Sequence, residues 1–153
     1  MNPESSQLRL QAGFENSGAV GSRPVILFRR GNAKRIKSMR VYLAGPMRHI
    51  PLFNFPAFFD AELKLVKKGH KVFNPARRDT RKHGTKFFSS NKTGNMKKAA
   101  KQGFSLRKAL ADDTEYICLK ADAIAMLPGW KNSKGATAER ALGLALGLRI
   151  IYL

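Results

Sequence analysis

The segment Asn132-Ser133-Lys134-Gly135-Ala136-Thr137-Ala138-Glu139 is the place in this chain best suited to chemistry. It follows a turn rich in Gly and Pro, Leu127-Pro128-Gly129-Trp130, and its small residues let a ligand approach the backbone where the next helix begins. The N–H groups of that helix start, with the Ser133 hydroxyl, suit an anion. Glu139 then falls in the first turn or so of the helix, where the positive end of the macrodipole favours the ionised carboxylate that a nucleophile needs. An acid that only stabilises its own helix would occupy the same position, so position alone leaves both roles open. Other residues near the same edge have an ordinary structural use as well. Asp113 reads as a solvated helix residue, Asp122 as the anchor of a strand start, and Tyr42 as a strand aromatic in the core. Gly45 and Gly129 read as turn glycines, and Trp130 as an aromatic that is either partly exposed or packed.

The elements that must position these residues follow from patterning. Met39 to Ala44 is a short apolar run that stops at Gly45-Pro46-Met47, which predicts a buried strand ending in a turn. Asn54 is placed to cap a helix with Pro56 in its second position; Phe55, Phe58, Phe59, Leu63 and Val66 then recur at helical spacing until Gly69. A second strand is expected at Lys71 to Asn74, and a helix around Leu106, Leu110, Ile117 and Ala121. A third strand is expected from Ala123 to Leu127. Ala136 to Leu146 reads as a helix with Ala138, Leu142, Ala145 and Leu146 on one face and Gly147 as its stop, and Arg149 to Leu153 closes the chain as a strand. Strand and helix alternate, which is the order of an α/β fold: a flavodoxin- or Rossmann-like three-layer sandwich with a small, mostly parallel sheet. In such sheets ligands bind beyond the carboxyl ends of the strands, where the turns at 44–47, 74–75 and 127–130 converge.

Composition sets the outer bounds. At 153 residues and 43% hydrophobic content the chain holds one core and one domain. Residues 1–38, rich in Ser, Gly, Asn and Arg around a single apolar island at Val25 to Phe28, are expected to form a flexible basic extension; residues 39–153 form the domain, and Met39 is a candidate alternative start. With 29 Lys and Arg against 10 Asp and Glu, the formal charge is +19. Much of it comes from a segment expected to be a basic loop at about 76–105, where Phe87, Phe88 and Phe104 are interspersed among lysines and arginines. Such charge attracts polyanions, so a phosphorylated substrate or a nucleic acid is an expected partner. The lone Cys118, in an apolar setting, reads as a core thiol and excludes a disulfide framework, which fits a cytoplasmic protein. His49, His70 and His83 lack companions at ligand spacing, so neither metal nor cofactor is expected. The apolar stretch from Ala141 to Leu153 is interrupted by Arg149 and too short to span a bilayer, and the first residues do not read as a secretory signal, though a transit peptide stays open.

Tyr42-Leu43-Ala44-Gly45-Pro46-Met47, Asn54-Phe55-Pro56 with Phe58-Phe59, and Gly69-His70 with Val72-Phe73-Asn74-Pro75 resemble, in order, the nucleoside 2-deoxyribosyltransferase-like superfamily. So do Ala121-Asp122-Ala123-Ile124, Leu127 to Trp130, Ser133 to Ala136, Ala138-Glu139, and the stretch from Ala141 to Leu148. Within that superfamily the chain is more specifically similar to the domain of unknown function 4406, a small family frequent in bacteriophages and bacteria. The resemblance covers Met39 to the C-terminus, leaves residues 1–38 uncovered and matches the basic segment poorly.

The resemblance implies that Glu139 attacks the anomeric carbon of deoxyribose to form a covalent glycosyl-enzyme, which water or a second base then resolves. It implies that Tyr42 orients the nucleophile or the sugar and that Asp113 protonates or holds the leaving base. Gly45, Pro46, Met47, Asn54, Asp122, Gly129, Trp130, Ser133 and Gly135 are the expected substrate-binding positions. Transferases acting on free nucleosides usually carry Asp six positions before the nucleophile; Ser133 stands there instead, as in deoxynucleoside 5′-monophosphate N-hydrolases. A hydroxyl at a helix start beside Lys134 accepts a phosphate that a carboxylate would repel. A homo-oligomer is expected on the same resemblance. Two other readings stand beside the enzyme: a nucleotide-binding protein without turnover, and a nucleic-acid-binding module that grips phosphates through the basic segment.

Overall fold

The structure is a computed structural model and describes residues 37–153, so the extension expected over 1–38 lies outside the described residues except for Lys37 and Ser38. Four parallel strands form one sheet: β1 (Arg40–Ala44), β2 (Lys71–Phe73), β3 (Ala123–Met126) and β4 (Arg149–Tyr152), in the order β2-β1-β3-β4. Tyr42 lies beside Phe73 of β2 and Ile124 of β3. Strand alternation divides the core into two layers. Val41, Leu43, Ala123 and Ala125 face the side of α1 (Phe55–Lys67), packing with its Phe55, Phe58 and Leu65. Tyr42, Ala44, Ile124 and Met126 face the other side, against Ile117 of α5 (Leu106–Leu119) and Ala136 of α6 (Lys134–Ala145). The α/β sandwich expected from the sequence is thus present, with every strand parallel.

Side-chain detail departs from the expected faces. In α1 the buried stripe is Phe55, Phe58, Ala61 and Leu65, and Leu63 and Val66 are about half exposed. Asn54 does not cap α1 through its side chain. Its own backbone is left-handed, as are those of Leu52 and Phe53, and its Nδ2 donates to the Pro46 carbonyl at 2.9 Å, holding the β1–α1 loop. In α6, of the expected face of Ala138, Leu142, Ala145 and Leu146, only Leu142 packs against the core; the other three are exposed, and Ala136, Glu139 and Gly143 are the buried positions. Gly143 explains the rotation. A Cβ there would lie 2.4 Å from Cδ1 of Ile124, so any larger residue would have to displace that buried side chain for the helix to sit this close to β3. Cys118 is exposed rather than a core thiol, because the inward face of α5 at that level is taken by Ile117.

The segment expected to be a basic loop is mostly helical: α2 (Pro75–His83), α3 (Thr85–Ser89) and α4 (Met96–Lys101). Asn74 starts α2 by accepting from the N–H groups of Ala76 and Arg77, with Pro75 in the first turn, and Asn95 accepts from the Lys98 N–H at the start of α4. Both are strong helix starts that the density of charge obscured. The interspersed aromatics are turned inward: Phe87 stacks on Phe53 and Phe104, and Phe88 packs on Phe55. None of the described helices is long and apolar enough to cross a membrane.

Candidate active site

The chain leaves β1 for the outer strand β2 and then returns across β1 to β3, so the carboxyl ends of β1 and β3 flank the point where the strand order reverses. That reversal opens a crevice. Gly45 lies at its floor, where a Cβ would come within 2.9 Å of Leu127 Cβ and 3.2 Å of Phe58, and so the turn after β1 can press against the end of β3. The crevice widens into a cavity of about 370 Å³. Gly45, Met47 and Arg48 line it from the β1–α1 loop, Pro75, Arg78 and Asp79 from α2, and Ser133, Gly135, Ala136 and Glu139 from the α6 start. Phe104, Leu106, Leu110 and Asp113 complete its wall.

Glu139 is 8% exposed and accepts a hydrogen bond at Oε1 from the Tyr42 hydroxyl at 2.9 Å. Burial, with the nearby Glu139 carboxylate, raises the Tyr42 pKa well above the ordinary phenol value, which keeps the hydroxyl a donor. Burial pushes Glu139 up to about 7, the Asp113 charge adds to the rise, and the Tyr42 hydrogen bond and Arg78 oppose it. Burial therefore works against the helix end, which the sequence argument took to hold the carboxylate ionised. Glu139 stands in the second turn of α6, beyond the short reach of the terminal partial charge, and desolvation dominates.

Asp113 is also buried, at 6% exposure, and is no solvated helix residue. Its Oδ1 accepts from Arg78 Nη1 at 2.5 Å. Burial lifts it to about 6 against the pull of the Arg78 charge and hydrogen bond, and Asp79 and Asp112 raise it further. Arg78 is shared: its Nε and Nη2 donate to Asp79 Oδ1 at 3.1 and 2.9 Å. A row of charges thus crosses the cavity wall, from Asp113 through Arg78 to Asp79, with Glu139 close enough to Asp113 to feel its field. Among the described residues no three His, Cys, Asp or Glu side chains are grouped to hold a metal ion.

The start of α6 faces the same cavity. Ser133 Oγ accepts from the Ala136 N–H at 3.3 Å, which leaves the hydroxyl hydrogen to point elsewhere, and the backbone N–H groups of Lys134 and Gly135 find no acceptor among the described residues.

Of the expected residues, Tyr42, Gly45, Met47, Asp113, Ser133, Gly135 and Glu139 are thus brought together. Pro46 and Asn54 do not line the cavity; they brace the loop that carries Met47. Gly129 and Trp130 line a separate concavity with Tyr152, where the Trp130 ring lies under Arg140. Asp122 is at the opposite end of the sheet, paired with Arg40 at 2.6 Å where β1 and β3 begin. The sequence reading missed Arg78, Asp79 and Arg48. The signal for the first two was Asn74-Pro75, a helix start at the carboxyl end of β2 that places the next residues on the ligand-binding edge.

The family model described as Domain of unknown function (DUF4406) matches residues 39–152. The chain belongs to this family. Searches of curated proteins and of solved structures returned no match. The matched span begins one residue before β1 and ends with β4, so every strand and helix named above, and every residue lining the cavity, lies within the DUF4406 domain.

Proposed function

We propose that this cavity cleaves or exchanges the N-glycosidic bond of a deoxynucleoside, preferably as its 5′-monophosphate, through a covalent glycosyl–Glu139 intermediate. The observation that carries the reading is the buried Tyr42–Glu139 hydrogen bond at the cavity floor, with Asp113 beside it. Tyr42 holds Oε1 and leaves Oε2 to attack C1′. As the bond to C1′ forms, the C1′–N bond breaks and its electron pair goes to the base, which takes a proton from Asp113. Water or a second base then attacks C1′, Asp113 recovers a proton from it, and Glu139 leaves as the carboxylate. Burial raises both carboxyls, Glu139 to about 7 and Asp113 to about 6, so the two share protons near neutrality, and the reacting form is the minor one in which Asp113 holds the proton and Glu139 is ionised.

A phosphate is supported by the α6 start. Two unpartnered N–H groups, the Ser133 hydroxyl and the Lys134 side chain offer donors to one dianion, and Arg48 stands on the facing loop. The basic surface of α2 to α4, including exposed Arg81, Lys86, Lys97 and Lys101, would draw an anionic substrate toward the mouth. The likeness of the strand-end segments to the nucleoside 2-deoxyribosyltransferase-like superfamily points the same way.

The test is incubation with each deoxynucleoside 5′-monophosphate, with and without a competing free base, following base release by chromatography. Release that Glu139→Ala lowers by at least about a thousandfold is expected for a lost nucleophile. No release from any nucleoside or nucleotide, or release undiminished in Glu139→Ala, would sink the reading.

A further inference from the structure

Three carboxylates line the cavity, and each has one oxygen held by a protein donor and one that is not. Glu139 gives Oε1 to Tyr42, Asp113 gives Oδ1 to Arg78, and Asp79 gives Oδ1 to Arg78. The reaction proposed above uses the second oxygen of Glu139 and of Asp113. It leaves Asp79 without a task, although this side chain is only 4% exposed. Its Oδ2 accepts no hydrogen bond among the described residues, yet no buried polar side-chain atom is sealed off without a partner, so Oδ2 reaches accessible space.

The surroundings say what that oxygen is suited to meet. Beyond the main cavity is an apolar annex of about 60 Å³, bordered by Phe53, Phe87, Met96 and Phe104, and Asp79 lines both spaces as well as a third of about 160 Å³ that it shares with Lys82, His83 and Lys108. The annex is too small for a whole heterocycle but can take the edge of a flat one. A ring entering along Phe104 would lie between apolar walls and bring its edge to a single acceptor. That acceptor cannot swing away, because Arg78 fixes the carboxylate through two hydrogen bonds and is itself fixed by Asp113.

Resting on the proposed glycosidic reading, we infer that Asp79 is a specificity-determining residue that accepts a hydrogen bond from the exocyclic amino group of the leaving base, preferring a base with an amino group at that edge over one with a carbonyl at the same position. An amino group supplies the missing donor. A carbonyl in the same place would face the carboxylate acceptor to acceptor, and the ring N–H beside it reaches Oδ2 only if the base shifts along its edge, a mismatch that discriminates between the two. The Arg78 bridge orders the site along one line: sugar at Glu139 and Asp113, base edge at Asp79.

The decisive measurement is binding, separated from turnover. In the Glu139→Gln full-length chain, calorimetry compares deoxyadenosine 5′-monophosphate with deoxyinosine 5′-monophosphate, which has a carbonyl in place of the amino group and a hydrogen on the neighbouring ring nitrogen. The amino nucleotide is expected to bind about 10- to 100-fold tighter, as for a hydrogen bond to a charged acceptor. Adding Asp79→Asn should bring the two affinities within about threefold, since an amide can turn either a carbonyl or an NH₂ to the ligand. Equal affinities before Asp79 is changed, or a preference that survives Asp79→Asn, would overturn the inference; the first comparison decides even if the double variant does not fold. A preference that depends on Asp79 in a chain that releases no base would leave this subsite standing and remove the glycosidic reading. Base release with no amino preference would do the reverse.

Discussion

The two ends of the sheet hold the same chemical pair, an arginine and an aspartate, and treat it in opposite ways. At the amino end Arg40 and Asp122 meet at 2.6 Å with both side chains about half exposed, and the Arg40 hydrogen bonds and charge hold Asp122 well below the usual carboxylate range. At the carboxyl end Arg78 meets Asp79 at 2.9 Å and Asp113 at 2.5 Å, and both carboxylates are raised. The pairing differs, since Asp122 accepts from Arg40 Nε, Nη2 and the backbone N–H across both its oxygens while Asp79 and Asp113 each offer Arg78 one oxygen, and solvation differs as well. Water solvates the first pair and is largely excluded from the second, where burial outweighs the cation's pull. The lesson is that an ion pair at the carboxyl edge is a device for keeping poorly solvated carboxylates in fixed positions, and one at the amino edge is a tether between two strand starts.

The harshest way to break the contrast is to remove the cation from each end. Arg78→Met leaves Asp79 and Asp113 buried without their partner, and about 2–4 kcal/mol of unfolding free energy should be lost at pH 7.5, the range being that of a broken buried pair with some remaining solvation. The loss should shrink by pH 5, where Asp113, at about 6 in the intact site, takes up its proton. A denaturant midpoint unaffected by Arg78→Met at either pH would mean that the row of charges is solvated after all.

Glu139 sharpens the contrast by a different route. Its folded value of about 7 lies above the ordinary 4.5, so the folded state binds the proton more tightly than the unfolded chain does. The resulting stability is full below about 4.5 and is lost as the pH rises through 7. Glu139→Gln does not titrate. Its stability relative to the natural chain should therefore rise between pH 4.5 and 8, by on the order of 3 kcal/mol. Unfolding curves for both proteins at several pH values test this, and a difference that stays flat across the range would contradict the burial of Glu139.

The smallest effect belongs to the amino end. Asp122→Asn keeps the side-chain shape and removes an exposed charge, so the thermal midpoint at physiological salt and the rate of base release should both stay within experimental error. A loss of activity there would mean that Asp122 meets substrate, as the sequence resemblance implied and its place in the fold does not.

The succession of strands and helices and the turns that edge the cavity were legible because they depend on local signals. Apolar runs ending in Gly45-Pro46 and Pro128-Gly129 mark strand ends whatever the rest of the chain does, and Ser133 marks a helix start by its side-chain chemistry alone. What was hidden depends on contacts distant in sequence. The inward turn of Glu139 follows from Gly143 meeting Ile124, and no helical periodicity in α6 announces it, since alanines and leucines surround the helix. Asp113 looked solvated because its partner Arg78 lies 35 residues away in a segment read as a charged loop. Trp130 drew attention as an aromatic beside Gly129, and it is occupied by Arg140 and Tyr152 outside the cavity.

The Tyr42–Glu139 hydrogen bond joins residues 97 positions apart, across two strand crossovers. A chain that has formed all its helices but has not yet laid β3 beside β1 possesses neither the floor of the cavity nor the burial that tunes its carboxylate. Closing so long a loop carries an entropic cost that is met only when the sheet registers, and sequence-distant contacts of this kind form slowly. During refolding, helical circular dichroism should therefore recover ahead of the site, and a helical intermediate would hold Glu139 as an ordinary solvated acid.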